Sequence, residues 1–337
     1  MKIFFRYLWY RLKNSALRTL IFTALSVAIC LIVISEVNDF EKAEYCQSGL
    51  YMLATALCIT ASVVPLFELS GLKSRRNLDT LYFFPIKRGK MAMVHFVSGF
   101  VQVSTIYTVT WGASCFWFAL NTDYFALAYM IPYYFLSLLL ALVIYSIYCF
   151  LFMQANTVAD GVLFCALWIF LPALLASTLG FVLKSEVAEN LASWGIMYTP
   201  MNNLTVIFQD LIEINRPDYL MRGAEKIMER WYMFFIWGAV GLAAANGYLF
   251  SFVKKGAEQA GEISNSPFGY MILIPAYGYC FLLGLRGLFI PITIVIYLII
   301  MLSGYLIYRR GFKFKIPDIV VTVIGLVLPF AAAYINL

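Results

Sequence analysis

Nine runs of about 20 apolar residues divide this chain, at 17–35, 50–69, 91–120, 127–153, 161–183, 231–253, 270–285, 288–308 and 316–334. A helix needs about that many residues to cross the hydrocarbon core of a bilayer. Lipid offers no partners to backbone N–H and C=O groups, so segments of this kind fold as helices that satisfy their own hydrogen bonds. The chain therefore reads as an all-α polytopic membrane protein with about eight or nine spans. The variable one is 270–285, whose sixteen residues include Pro275. At 1.5 Å per residue it covers roughly 24 Å, which fits either a short span or a re-entrant segment. Composition agrees: 12% of the residues are charged, against about 25% in soluble domains.

The charges follow the spans. With the N-terminus inside, the inner segments 1–19, 70–90, 155–160, 254–269 and 309–318 hold 17 of the 24 basic residues, whereas 12 of the 18 acids fall outside. Lys and Arg beside a span resist translocation, so this asymmetry orients the molecule with a cytoplasmic N-terminus. The formal charge of +6 is thus a statement about topology, with no nucleic-acid partner implied.

Residues 1–18 carry Lys2, Arg6, Arg11, Lys13 and Arg18 without an acid, and the apolar run after them ends without a small-x-small cleavage site. The run is expected to remain as the first span. At about 100° per residue, Lys2, Arg6 and Lys13 share one face and Phe5, Leu8 and Leu12 the opposite one. Residues 1–19 are therefore predicted to form an amphipathic helix lying at the inner interface, its basic face toward anionic headgroups.

Several chemistries lack their residues. His95 is the single histidine, too few for a histidine metal cluster or a conventional hydrolytic triad. The seven cysteines, Cys30, Cys46, Cys58, Cys115, Cys149, Cys165 and Cys280, contain no CxxC pair, and all but Cys46 sit in apolar runs, where they read as small packing residues. Gly89-Lys90 is followed by Met91 and lacks the upstream glycine of a phosphate-binding loop, so no nucleotide cofactor is expected on this chain itself. The spans hold almost no ionisable groups of the kind that marks ion-coupled transport: Glu68 sits near the inner end of the second and Arg286 in the turn after the seventh. Glu68 is expected to pair with a base in the loop beyond it, and Arg286 to snorkel.

In the third span His95, Ser98, Gln102, Thr105 and Gly112 share a face, making a semi-polar stripe. The stripe suits either the lining of a conduit or hydrogen bonding between packed helices. Gly238, Gly241, Ala243 and Gly247 of the sixth span offer close helix contact, with Asn246 in need of a partner there. Ser98, Gln102, Thr105 and Asn246 are the candidate path-lining residues. The outer segment 184–230 carries apolar-periodic pieces at 204–214 and 219–229, suited to short helices at the outer leaflet or to a plain surface loop.

The basic loop 70–90 holds six Lys or Arg against Asp79 alone. Its Lys73-Ser74-Arg75-Arg76-Asn77-Leu78-Asp79, followed by Phe84-Pro85-Ile86-Lys87-Arg88, resembles the K-R-x-x-D and L-P-I-x-R elements that open the third span in the membrane subunits of type-2 ABC exporters, especially the permeases of Gram-positive bacteria that act with a separate ATPase. Ile131-Pro132-Tyr133, Ala159-Asp160-Gly161, Thr199-Pro200, Glu258-Gln259-Ala260-Gly261-Glu262 and Gly311-Phe312-Lys313-Phe314-Lys315 follow in the same order as in that family. The likeness covers nearly the whole chain. Phe84 stands where leucine is usual, and nine spans exceed the family's core of six.

The resemblance implies a six-span permease core at 17–253, preceded by a connecting helix at 1–19 and followed at 254–337 by a cytoplasmic loop and extra C-terminal spans. It implies a coupling loop at 70–90, with Arg75, Arg76, Leu78, Asp79, Leu81, Tyr82, Phe83, Pro85, Lys87 and Arg88 toward an ABC ATPase, and a second contact at Asn156 and Asp160. ATP and magnesium would be bound by that partner, so the chain itself would be no enzyme. A second copy or a sister permease would complete the path in a bacterial cell membrane, for an amphipathic or antimicrobial peptide, a hydrophobic drug or a lipid. Read from the residues alone, an integral-membrane enzyme acting on lipid and a structural or sensory membrane protein remain the alternatives.

Overall fold

The computed structural model describes residues 2–35, 45–74, 86–121, 127–183, 231–284 and 290–335. Among them there is no strand. The helices are α1 (Lys2–Ser35), α2 (Tyr45–Ser70), α3 (Arg88–Asn121), α4 (Leu127–Gln154), α5 (Val158–Leu183), α6 (Trp231–Lys254), α7 (Ile272–Gly284), α8 (Ile290–Arg309) and α9 (Ile316–Ile335). Six described segments are long and apolar enough to cross a membrane: Ile3–Ile32, Met52–Lys73, Arg88–Trp117, Ile131–Gln154, Phe234–Lys254 and Ile292–Arg309. Val158–Pro172, Pro267–Leu282 and Ile316–Val327 are shorter apolar helices. The chain is a multi-pass helical membrane protein.

The first element differs from its sequence reading. The interfacial helix predicted at 1–19 and the span predicted at 17–35 form one uninterrupted helix, α1, of 34 residues. No Gly or Pro lies between Lys2 and Ser35, so nothing breaks the backbone ladder where the two were separated. The opposite holds near 270. A π-type turn, Pro267–Met271, precedes α7, and Gly269 inside it has non-helical angles (φ −103°, ψ −138°). A Cβ on Gly269 would collide with the Phe164 ring. The break and the close approach together leave α7 only 13 residues, roughly 20 Å.

The described residues belong to two compact units. The first holds α1, α2, α3, α4 as far as Phe150, and α6. Here α3 is central, packing against α1, α2 and α6. Leu53, Leu57, Val64, Val94, Val103 and Ile106 are buried between these helices. Tyr145 of α4 reaches α3 where Gly99 leaves room for its ring, and its hydroxyl donates to Phe96 O at 2.9 Å. The second unit holds α5, α7, α8 and α9. Phe164, Tyr270, Leu273, Tyr297, Met301 and Tyr305 form its core. The buried Tyr297 and the half-buried Tyr279 place their hydroxyls on backbone carbonyls, Thr322 O and Val321 O, both at 2.9 Å, which lets large amphipathic rings fill an apolar interior without stranding a donor.

Candidate functional site

Among the described residues, polar clusters interrupt the apolar packing in both units, and one in each brings together residues singled out in the sequence. In the first, Arg11 and Arg18 lie seven residues apart on α1, which puts them within about 20° of one helical face. Both point at Glu68 of α2, whose side chain is only 1% exposed. Arg11 Nη2 donates to Glu68 Oε1 at 2.7 Å and Arg18 Nη2 to Oε2 at 2.8 Å. Gln102 of α3 closes the cluster: its Oε1 accepts from Arg18 Nη2 at 2.7 Å while its Nε2 donates to Glu68 Oε2 at 3.2 Å. His95 Nδ1 sits 3.5 Å from Glu68 Oε1, and Tyr7 OH lies 3.3 Å from His95 Nε2.

Among the described residues Glu68 pairs with Arg11 and Arg18 of α1, whereas Arg75 and Arg76 of the loop after α2, the bases its neighbourhood in the chain suggests, lie outside them. A carboxylate taken out of water needs its partners at once, and the helix packed beside it supplies two guanidiniums with fixed geometry. Arg11 and Arg18 escape the sequence reading because they lie off the face shared by Lys2, Arg6 and Lys13. Their seven-residue spacing was the available signal.

The second cluster is built on the turn between α4 and α5. Thr157 caps α5, its hydroxyl accepting from Asp160 N at 3.1 Å. Asp160, one turn in, accepts from Ser264 Oγ at 2.8 Å and from Tyr270 OH at 2.7 Å. Asn156 is held through its own N–H on Ser264 Oγ at 2.8 Å and its Nδ2 on Ile263 O at 3.1 Å. Gly261, whose φ of +85° belongs to the left-handed region, donates its N–H to Asn156 O at 3.0 Å. Arg310 then donates to Gly261 O at 3.1 Å and stands 3.8 Å from Asp160 Oδ2. Lys73 Nζ donates to Ala155 O. Ala159-Asp160-Gly161, the Glu258–Glu262 stretch and the segment before Gly311, far apart in sequence, meet in one hydrogen-bonded junction.

Eight of the predicted coupling residues, Arg75, Arg76, Leu78, Asp79, Leu81, Tyr82, Phe83 and Pro85, lie outside the described residues, as do Arg286 and the outer segment. Lys87 and Arg88 are exposed at the start of α3, with Lys87 O accepting from Met91 N at 3.1 Å and Arg88 Nη1 on Lys255 O at 3.4 Å. Asn156 and Asp160 belong to the second unit. Of the candidate path-lining residues, Ser98 and Gln102 are buried against the Glu68 cluster and Thr105 is exposed. Asn246 is exposed on α6 and donates to Leu242 O of its own helix at 2.9 Å, so it needs no partner on another helix. Among the described residues no group of three His, Cys, Asp or Glu is arranged to hold a metal. No family model matches this chain, and neither a characterised protein nor a solved structure is recognisably similar to it.

Proposed function

We propose that the chain is the membrane-spanning permease subunit of an ATP-driven ABC exporter, forming half of a translocation path. Hydrolysis belongs to a separate ATPase that binds ATP and magnesium, and a second copy or sister permease supplies the other half. The observation that carries this reading is the junction around Asn156 and Asp160. A turn that receives a push from a partner must transmit it without deforming, and this turn is tied by side chains to three other segments of its unit. The basic loop before α3 supports the same reading, because it offers Leu78, Leu81, Tyr82 and Phe83 between cationic flanks. Closure of two ATPases would move two permeases through such contacts, alternating access to the path between them. The cargo class that suits the resemblance is an amphipathic or antimicrobial peptide, with hydrophobic drugs and lipids next.

The test is co-expression and co-purification with a candidate ABC ATPase, followed by ATPase measurements over a panel of peptides and lipids. Arg75, Asp79 and Pro85 substitutions should abolish substrate stimulation while membrane insertion stays intact. Full stimulation in all three variants removes the coupling assignment, and turnover by the purified chain alone removes the permease reading.

A further inference from the structure

The turn from α8 to α9 contains Gly311-Phe312-Lys313-Phe314-Lys315 and is held in one shape. Gly311 N–H donates to Leu306 O at 3.1 Å and Arg310 N–H to Ile307 O at 3.3 Å, the paired bonds of a Schellman helix end. That motif needs a left-handed residue, and here it is Arg310, with a φ of +51°. A side chain is disfavoured in that region, but the Arg310 guanidinium is fastened to Gly261 O. Arg309 donates to both carboxylate oxygens of Asp318, at 3.0 and 2.8 Å, and Lys315 N–H donates to Asp318 Oδ2 at 3.0 Å. Phe314 packs against the core of the second unit.

The turn so fixed points its other side chains outward. Phe312 is 86% exposed and Ile316 78%, the largest values for any big apolar side chain among the described residues. Lys313 and Lys315 are exposed between them, and among the described residues neither ammonium enters an ion pair. Phe312 stands just past Arg309, where the membrane-length segment Ile292–Arg309 ends. Ile316 opens α9, whose outward side continues as Ile319, Val320 and Val323. Phe312 and Ile316 therefore extend a lipid-facing surface to the level where hydrocarbon gives way to headgroups. Aromatic rings are favoured at that level, and lysines there reach phosphates while their stems stay in apolar surroundings. Continuity with the lipid-facing side of α9 favours the bilayer over a soluble protein as the occupant.

We infer that the α8–α9 turn is a docking site for anionic phospholipid, with headgroup phosphates against Lys313 and Lys315 and the Phe312 ring among the acyl chains beneath them. This site is independent of the permease reading, since it needs neither an ATPase nor transport.

Photo-crosslinking tests it, with p-benzoylphenylalanine in place of Phe312 in the full-length protein, reconstituted into phosphatidylcholine nanodiscs containing a minor share of phosphatidylglycerol. Illumination is expected to join this position to lipid, with phosphatidylglycerol about threefold over its share of the bilayer among the adducts. Lys313→Gln with Lys315→Gln should bring that excess down to the bilayer share, whereas Lys313→Arg with Lys315→Arg should keep it. Thermal melts of both should match wild type, because the substituted side chains are exposed. Should the Gln pair melt early, Lys313→Gln alone decides, since Lys313 takes no part in the Asp318 tether, and it should lower the excess by about half. Adducts that merely mirror the bilayer composition overturn the inference, as does an excess that the Gln variants leave unmoved. Capture of a second copy of the chain in place of lipid overturns it too, by showing protein against the turn.

Discussion

Arg11 Nη2 lies 2.7 Å from Glu68 Oε1, although 57 residues separate the two in the chain. The contact ties α1 to α2 through a carboxylate that is almost wholly enclosed, and Arg18 and Gln102 complete its shell. Removing one member of such a set leaves the others as charges without partners, which is costlier than the pair itself is favourable.

Glu68→Gln is expected to destabilise the protein by roughly 2 kcal/mol. That is below the 3–5 kcal/mol for breaking a fully buried pair, because both arginines are partly exposed. Reversible unfolding in mixed micelles measures it. A double-mutant cycle with Arg11→Gln should return a coupling of about 1 kcal/mol or more, and a coupling near zero would mean that the ion pair contributes nothing specific.

Two glycines on α6 should behave in opposite ways. A Cβ on Gly241 would lie 2.9 Å from Val143 Cγ2 and 3.2 Å from its Cα, whereas one on Gly238 meets nothing within 4 Å. Gly241→Ala is expected to cost about 1–3 kcal/mol through overpacking against backbone. Gly238→Ala should be neutral or gain up to about 1 kcal/mol from helix propensity. Thermal melts of the two variants side by side check the order.

Asp160→Ala strands the Ser264 and Tyr270 hydroxyls and removes the anion facing Arg310. Loss of about 2 kcal/mol is expected, together with faster hydrogen exchange at the Gly261 amide, whose partner is Asn156 O. Unchanged exchange there would show that the turn is held by backbone contacts alone.

Burial pushes the Lys255 amine down to about 8. Below that pH the ammonium is present in both folded and unfolded chains, and folding bears the cost of burying it. Between about 8 and 10.5 the unfolded chain holds the proton more tightly, so stability should rise with pH across that window. Lys255→Met should flatten the rise, and acylation of Lys255 followed by mass spectrometry should show a midpoint near 8. A midpoint at the ordinary lysine value would contradict the burial.

Apolar run length located the helices, because a helix in lipid must be continuous in hydrophobicity whatever its neighbours are, but among the described residues only six of the nine expected spans are long and apolar enough to cross a membrane. The Thr157 cap of α5 and the break at Gly269 are local features too, but they came from the structure and not from the sequence reading. The unbroken α1 was also legible in the absence of Gly and Pro, although charge pattern argued for two pieces there. Glu68 was visible as an isolated acid, but its partners were not: ion pairing depends on which helix faces which, and two arginines on another helix satisfy it as well as a base nearby in the loop. The stripe on α3 left packing and conduit equally open for the same reason. Tertiary contact put Gln102 against Glu68, with Ser98 buried behind Gln102, and left Thr105 exposed. Hydrophobicity and helix breaking act along the chain and are written in it, whereas charge compensation acts through space and is decided only when the helices have packed.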